Sequence, residues 1–181
     1  VQVDPSALKA KFHRIEHHDA HVAAGFLISP FDHAAVLSID GMGDFTSVLT
    51  AEARQASWKD ISRVYFPHSL GFLYSAITMY LGFPHYGDEY KVMGLAPYGE
   101  PEFIELFRKI VFPQKDTFAL NLDYFTHHRK GIRMQWNDGA PRIEPFHSEL
   151  LERTLGPMRD SREEMTSKHD NIAKSLQAVS Y

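Results

Sequence analysis

The stretch from Ser69 to Leu81, SLGFLYSAITMYL, is apolar on nearly every side of a helical wheel. A helix of that kind offers water no face, so the rest of the chain must enclose it. That demands a real core, and 181 residues at 44% hydrophobic content can supply one. Ser69 reads first as the N-cap of this helix. The free N–H groups behind it could also meet a phosphate or a carbonyl oxygen.

Other elements are legible around it. Pro5 to Phe12 reads as a short helix, followed by an extended HRIE. Asp19 to Ile28 has helical spacing and ends at Ser29-Pro30, because the residue before proline avoids the α region. His33 to Ile39 and Phe45 to Ala51 are strand-like and suggest a hairpin across DGMGD. Phe83 to Pro101 is rich in glycine and proline and reads as a long loop without a regular element. A helix follows over Glu102 to Ile110, with strand signals at Phe118 to Leu122 and Ile132 to Trp136. The last helix is marked by a capping-box spacing at Ser161 and Glu164, with Met165, Ile172, Leu176 and Val179 on one face. Strands and helices are mixed, so the fold class is α/β or α+β.

Charge and composition exclude several functions. The net charge is −4 and no basic stripe is present, which argues against nucleic acid. HHRKGIR, His127 to Arg133, reads as a solvated loop. Without cysteine there is no disulfide, thiolate metal site or cysteine nucleophile, and a cytoplasmic setting is compatible. No apolar run reaches the ~18 to 20 residues of a membrane span. The chain opens at Val1 and stops inside a helical pattern, as a piece of a longer protein would.

Three further stretches could carry chemistry. IEHHDAHVAAGFL places His17 and His21 four residues apart, so on a helix they share a face and could share a divalent ion. The same pattern also occurs as a polar helix start, and the spacing leaves both readings open. SIDGMGD offers an acid, Asp40, and glycines that let backbone N–H groups approach an anion, or simply a turn. In FPHYGDEYKVMGLAPYGEP, Glu89, Lys91 and Tyr98 supply an acid, a cation and a hydroxyl, or only solvated charges. His127, His128, His147 and His169 stand alone and read as ordinary surface or core histidines.

Taken together and in order, HHDAHVAAGF, SIDGMGD, PHSLGFLYSAITMYLGF and above all DEYKVMGLAPYG resemble the carbamoyltransferases that modify nodulation factors and antibiotics, the NodU/CmcH family. The similarity runs over essentially the whole chain. It implies an actin-like ATPase fold of ribonuclease-H-like lobes, of which residues 1–181 form a single fragment, incomplete at both ends. It also implies a separate adenylate-forming domain, absent here, that makes carbamoyladenylate from carbamoyl phosphate and ATP. The actin-like domain passes the carbamoyl group to a hydroxyl of a small-molecule or sugar acceptor.

The resemblance assigns roles residue by residue. His17, His21 and Asp40 match metal ligands, with iron placed before zinc or manganese. Asp40, Gly41, Met42 and Gly43 match the nucleotide phosphate loop, and Ser69, Leu70 and Gly71 border the carbamoyladenylate pocket. Glu89 and Lys91 line the cleft, and His18 is a ligand or a proton carrier. On this reading Gly43→Val weakens adenylate binding more than metal binding. Two other readings are a non-catalytic nucleotide- or partner-binding domain and a metal-dependent hydrolase that needs no nucleotide. No nucleic acid or membrane partner is expected, and a homodimer is allowed.

Overall fold

The computed structural model describes residues 9–136 and 139–180. It is a mixed α/β arrangement with two hydrophobic clusters, a small one under the first helix and a large one around the apolar helix. The expected helix over Pro5 to Phe12 lies partly outside the described residues; 9–12 carry no regular element.

Helix α1, His17–Leu27, begins two residues earlier than its spacing suggests. Glu16 makes the difference: it is extended, and its side chain accepts from the Asp19 N–H. Three strands follow, β1 (His33–Gly43), β2 (Thr46–Arg54) and β3 (Ser57–Tyr65), paired antiparallel in the order β1-β2-β3. The hairpin exists, but its turn is Asp44-Phe45 and the strand runs on through Asp40 to Gly43. Both turn residues have positive φ, 49° and 67°, as a two-residue loop matched to strand twist requires. β3 escaped the pattern because its register with β2 shifts, so its apolar residues do not alternate cleanly. α1 lies on this sheet through Val22, Leu49 and Ala51, with Val36 and Trp58 beside them.

The apolar helix, α2 (Leu70–Tyr80), is the centre of the large core; Leu73, Ala76 and Ile77 are fully buried. Ser69 caps it, accepting from the Phe72 N–H at 3.1 Å. The glycine- and proline-rich stretch is not a loop throughout. It holds α3 (Glu89–Leu95) and a 3-10 turn at Ala96–Tyr98. Gly94 is tolerated inside α3, and Pro97 fits the first positions of the 3-10 turn, where no N–H is needed. Next come α4 (Ile104–Ile110), the hairpin β4 (Val111–Gln114) with β5 (Thr117–Leu120), and α5 (His127–Lys130). The short pair β6 (Met134–Gln135) and β7 (Arg142–Ile143), then α6 (Glu149–Leu155), lead to α7 (Ser167–Val179). α7 is capped by Thr166, whose N–H donates to His169 Nδ1, and not by Ser161. Asp160 and Glu163 form a separate turn there, with Asp160 N donating to Glu163 Oε2.

Part of HHRKGIR is also buried. His127 sits among the rings of Phe66, Phe72, Phe125 and Phe146, and its Nε2–H donates to Pro67 O at 2.9 Å. Its Nδ1 has no partner among the described residues. Burial pulls the His127 pKa below its usual value despite the bond to Pro67, and burial does the same to His68 and His169. The unfolded chain therefore binds these protons more readily than the folded one. Their contribution is complete above the unfolded value of 6.5 and is lost as pH falls through and below it. Asp40 and Asp88 are held below ordinary carboxylate values and add nothing to that window. The expected result is a lower urea midpoint at about pH 5.5 than at about pH 7.5, with a shallower slope for His127→Gln.

Candidate metal centre

Two elements build the centre. α1 projects His17 and His21 one turn apart, and β1 bulges opposite them. Between Ile39, paired with Val48, and Gly43, paired with Thr46, β1 spends three residues against one on β2. Such a bulge re-aims a side chain, and here it swings Asp40 toward the histidines. Asp40 Oδ2 lies 2.7 Å from His17 Nε2 and 3.6 Å from His21 Nε2, and the two Nε2 atoms are 2.9 Å apart. Among the described residues, these form the one group of three metal-capable side chains whose ligand atoms lie within 4.8 Å of one another.

The donor chemistry fits a divalent cation. An imidazole nitrogen has one in-plane position, holding either a proton or a lone pair. His17 Nε2 faces both a carboxylate and a second ring nitrogen, more than one N–H can serve. Donor atoms sharing one ion at about 2.0–2.2 Å stand roughly 3 Å from each other. Two imidazoles with one carboxylate suit iron, manganese or zinc. Partial burial pushes the Asp40 pKa up, but the hydrogen bonds from His17 and the Gly41 N–H and the nearby His17 and His21 charges outweigh it and hold the group below its usual value.

The glycines around Asp40 serve close approach. A Cβ on Gly43 would stand 2.0 Å from His17 Cδ2, and one on Gly71 would stand 2.7 Å from the Gly41 Cα. So Gly43 makes room for the His17 ring, which changes the expectation that it mainly spares a phosphate. The Gly41 N–H is already given to Asp40 Oδ1 at 2.6 Å, and Ser69 Oγ donates to Gly41 O at 2.6 Å. Ser69 is thus cap and clasp at once, joining the start of α2 to the bulge. Met42 is exposed.

His18 faces inward. It is fully buried; Nε2 donates to Thr46 O at 3.0 Å and Nδ1 accepts from Ser38 Oγ at 2.8 Å. Both nitrogens are spent on fastening α1 to the sheet. A cleft of about 450 Å3 opens beside Asp40, bordered by Leu70, Gly71, Tyr74, Ser75 and Glu89. Glu89 Oε1 accepts from Ser75 Oγ at 2.5 Å. Lys91 does not border that cleft; it pairs with Asp88 Oδ1 at 2.7 Å. Sequence reasoning passed over Asp44, whose Oδ2 accepts from the His17 N–H at 3.0 Å, and Arg63, which binds both Glu16 and Asp19. Only fold-level pairing across distant positions brings these together.

Residues 4–178 match the family model described as Carbamoyltransferase N-terminus. The chain belongs to this carbamoyltransferase family. An uncharacterized protein of Synechocystis sp. is 38% identical over 170 residues, 91% of this chain and 25% of its own length. Nodulation protein NolNO of Sinorhizobium fredii is 42% identical over 101 residues, 56% of this chain and 14% of its own. Nodulation protein NolO of Bradyrhizobium diazoefficiens is 44% identical over 96 residues, 51% of this chain and 17% of its own. The chain therefore spans a quarter or less of these relatives. No helix among the described residues is long and apolar enough to cross a membrane.

Proposed function

We propose that this carbamoyltransferase chain is part of the actin-like, ribonuclease-H-like domain of a longer O-carbamoyltransferase. That enzyme moves a carbamoyl group from carbamoyladenylate, made from carbamoyl phosphate and ATP, to a hydroxyl of a small-molecule or sugar acceptor. The observation that carries the reading is the convergence of His17, His21 and Asp40 at the edge of the cleft, within a chain of this family. His17, His21 and Asp40 hold the divalent metal, iron before zinc or manganese. A bound cation there supplies Lewis-acid polarisation and an anchor for phosphate oxygens.

This chain's own groups do the rest. The cleft, of ligand-binding size and largely apolar, receives the adenylate beside the reacting centre. Asp40 and Gly41 border the cleft that takes the adenylate, with Leu70 and Gly71 on its other side. Met42 lies outside that lining, and the buried Ser69 acts through its cap and its bond to Gly41 O. Glu89, held by Ser75, accepts the proton of the acceptor hydroxyl as its oxygen attacks the carbamoyl carbon and AMP departs. Lys91, tied to Asp88, fixes the first turn of α3 and with it Glu89. His18 keeps α1 in place.

The first test is metal content by elemental mass spectrometry, beside a His17→Ala/His21→Ala variant. Near-stoichiometric iron, zinc or manganese that disappears in the variant supports the centre. The second test gives the full-length protein ATP, radiolabelled carbamoyl phosphate and a panel of polyhydroxyl acceptors. Label should enter an acceptor carbamate in the wild type and not in the variant. Equal labelling by both, or ester hydrolysis without any nucleotide, overturns the proposal.

A further inference from the structure

Arg63 lies on β3 opposite Leu49, on the sheet face that α1 covers. Its side chain is only 15% exposed, and it meets three carboxylates. Nη1 is 3.2 Å from Glu16 Oε2, Nη2 is 3.0 Å from Asp19 Oδ1, and Nε is 2.6 Å from Asp60 Oδ2. Trp58 Nε1 donates to the same Asp19 oxygen at 3.4 Å. Two of these acids bracket His17 and His18: Glu16 is the N-cap of α1 and Asp19 stands in its first turn.

We propose that Arg63 is a positioning residue for the histidine cluster: its guanidinium clamps Glu16 and Asp19 and so sets the rotation of α1 that aims His17 and His21 at Asp40. The inference rests on the metal centre proposed above and extends it to a residue that touches none of the ligands. Apolar packing alone cannot set that rotation. The apolar contact of α1 with the sheet is small, Val22 on Leu49 and Ala51 with Val36 and Trp58 at the margin. His18 pins the helix at one further point, to Ser38 and Thr46, and the guanidinium adds the hold at the helix start. A planar fork with donors fixed in direction resists rolling, and an ammonium would not match it. Without the fork, three carboxylates face one another with no counter-charge. One of their oxygens, Glu16 Oε1, is already buried and unpartnered among the described residues.

The test compares wild type, Arg63→Lys, Arg63→Met and Leu155→Ala, the last lowering stability from the other core. In the metal-free chain, imidazole nitrogen NMR reads His17 and His21 directly. Their signals should shift and broaden in Arg63→Met, less so in Arg63→Lys, and stay put in Leu155→Ala. Cobalt(II) titration should weaken by about tenfold or more in Arg63→Met, the usual cost of losing a group that orients a ligand. Leu155→Ala should hold wild-type affinity. Wild-type spectra and cobalt affinity in Arg63→Met overturn the inference. If the wild type itself takes no cobalt, the metal reading fails alone and the spectra still decide the positioning claim. Should Arg63→Met fail to fold, Arg63→Lys is judged by the same two readouts.

Discussion

Gly43→Val is expected to abolish metal binding at the histidine cluster and to lower stability by about 2–3 kcal/mol, the scale of overpacking a filled site. A Cβ there would lie 2.0 Å from Cδ2, 2.1 Å from Cγ and 2.6 Å from Nε2 of His17. The ring cannot slide away along the helix, because the His17 N–H is held by Asp44 Oδ2 and Glu16 fixes the helix start. It must rotate out, and its Nε2 then leaves Asp40. Adenylate binding should fall as a consequence, reversing the order expected from a glycine that spares only a phosphate. Gly41→Ala is the control, since a Cβ there meets only the Phe72 ring at 3.6 Å, an ordinary contact. Cobalt(II) titration and urea unfolding read both effects. Gly43→Val with wild-type cobalt affinity would show that the His17 ring is not where binding needs it.

Elements whose apolar residues keep a regular period were legible in the sequence. α2 and the first hairpin pair are examples, because burial on one face or on all faces leaves a repeating signature. What was missed shares a physical cause. β3 is half exposed and its register shifts, so alternation is blurred; α3 sits among glycines that read as breakers. α6 is short and marked by only two fully buried leucines, Leu151 and Leu155. At the site, His17 and His21 were legible because helix geometry relates them locally. Asp40 was legible only as an acid beside glycines, since its place opposite them depends on a bulge that the sequence does not announce. Arg63 and Asp44 act through contacts between positions far apart in the chain, and no local pattern encodes those. His18 shows the opposite case. It lies in the same short run as the ligand histidines, yet its outlook is set by which side of α1 meets the sheet.

Gly99→Ala is expected to cost about 3 kcal/mol or more, a large share of the 5–15 kcal/mol that holds a typical domain together. Gly99 has φ −99° and ψ 167°, an extended backbone that any residue adopts, so space alone demands the glycine. An added Cβ would stand 2.1 Å from Asp170 O, 2.3 Å from Asp170 C and 2.6 Å from Asn171 N. These are backbone atoms of α7, and no rotamer change relieves them. The segment is also laced to the helix: Glu100 N donates to Asn171 Oδ1, Asn171 Nδ2 to Glu102 Oε2, and Phe103 N to Ser175 Oγ. α7 therefore has to move as a body, carrying Ile172 and Leu176 out of the core that α2 anchors. Gly94→Ala, in the same glycine-rich run, makes the opposite test. Nothing lies within 4 Å of its Cβ, and inside α3 alanine should gain about 0.5–1 kcal/mol over glycine. Urea midpoints that move in opposite directions for the two variants would show that the run is a packing element, with one glycine essential and one spare. A Gly99→Ala protein as stable as the wild type would mean that α7 does not rest on this segment, and the large core would need a different account.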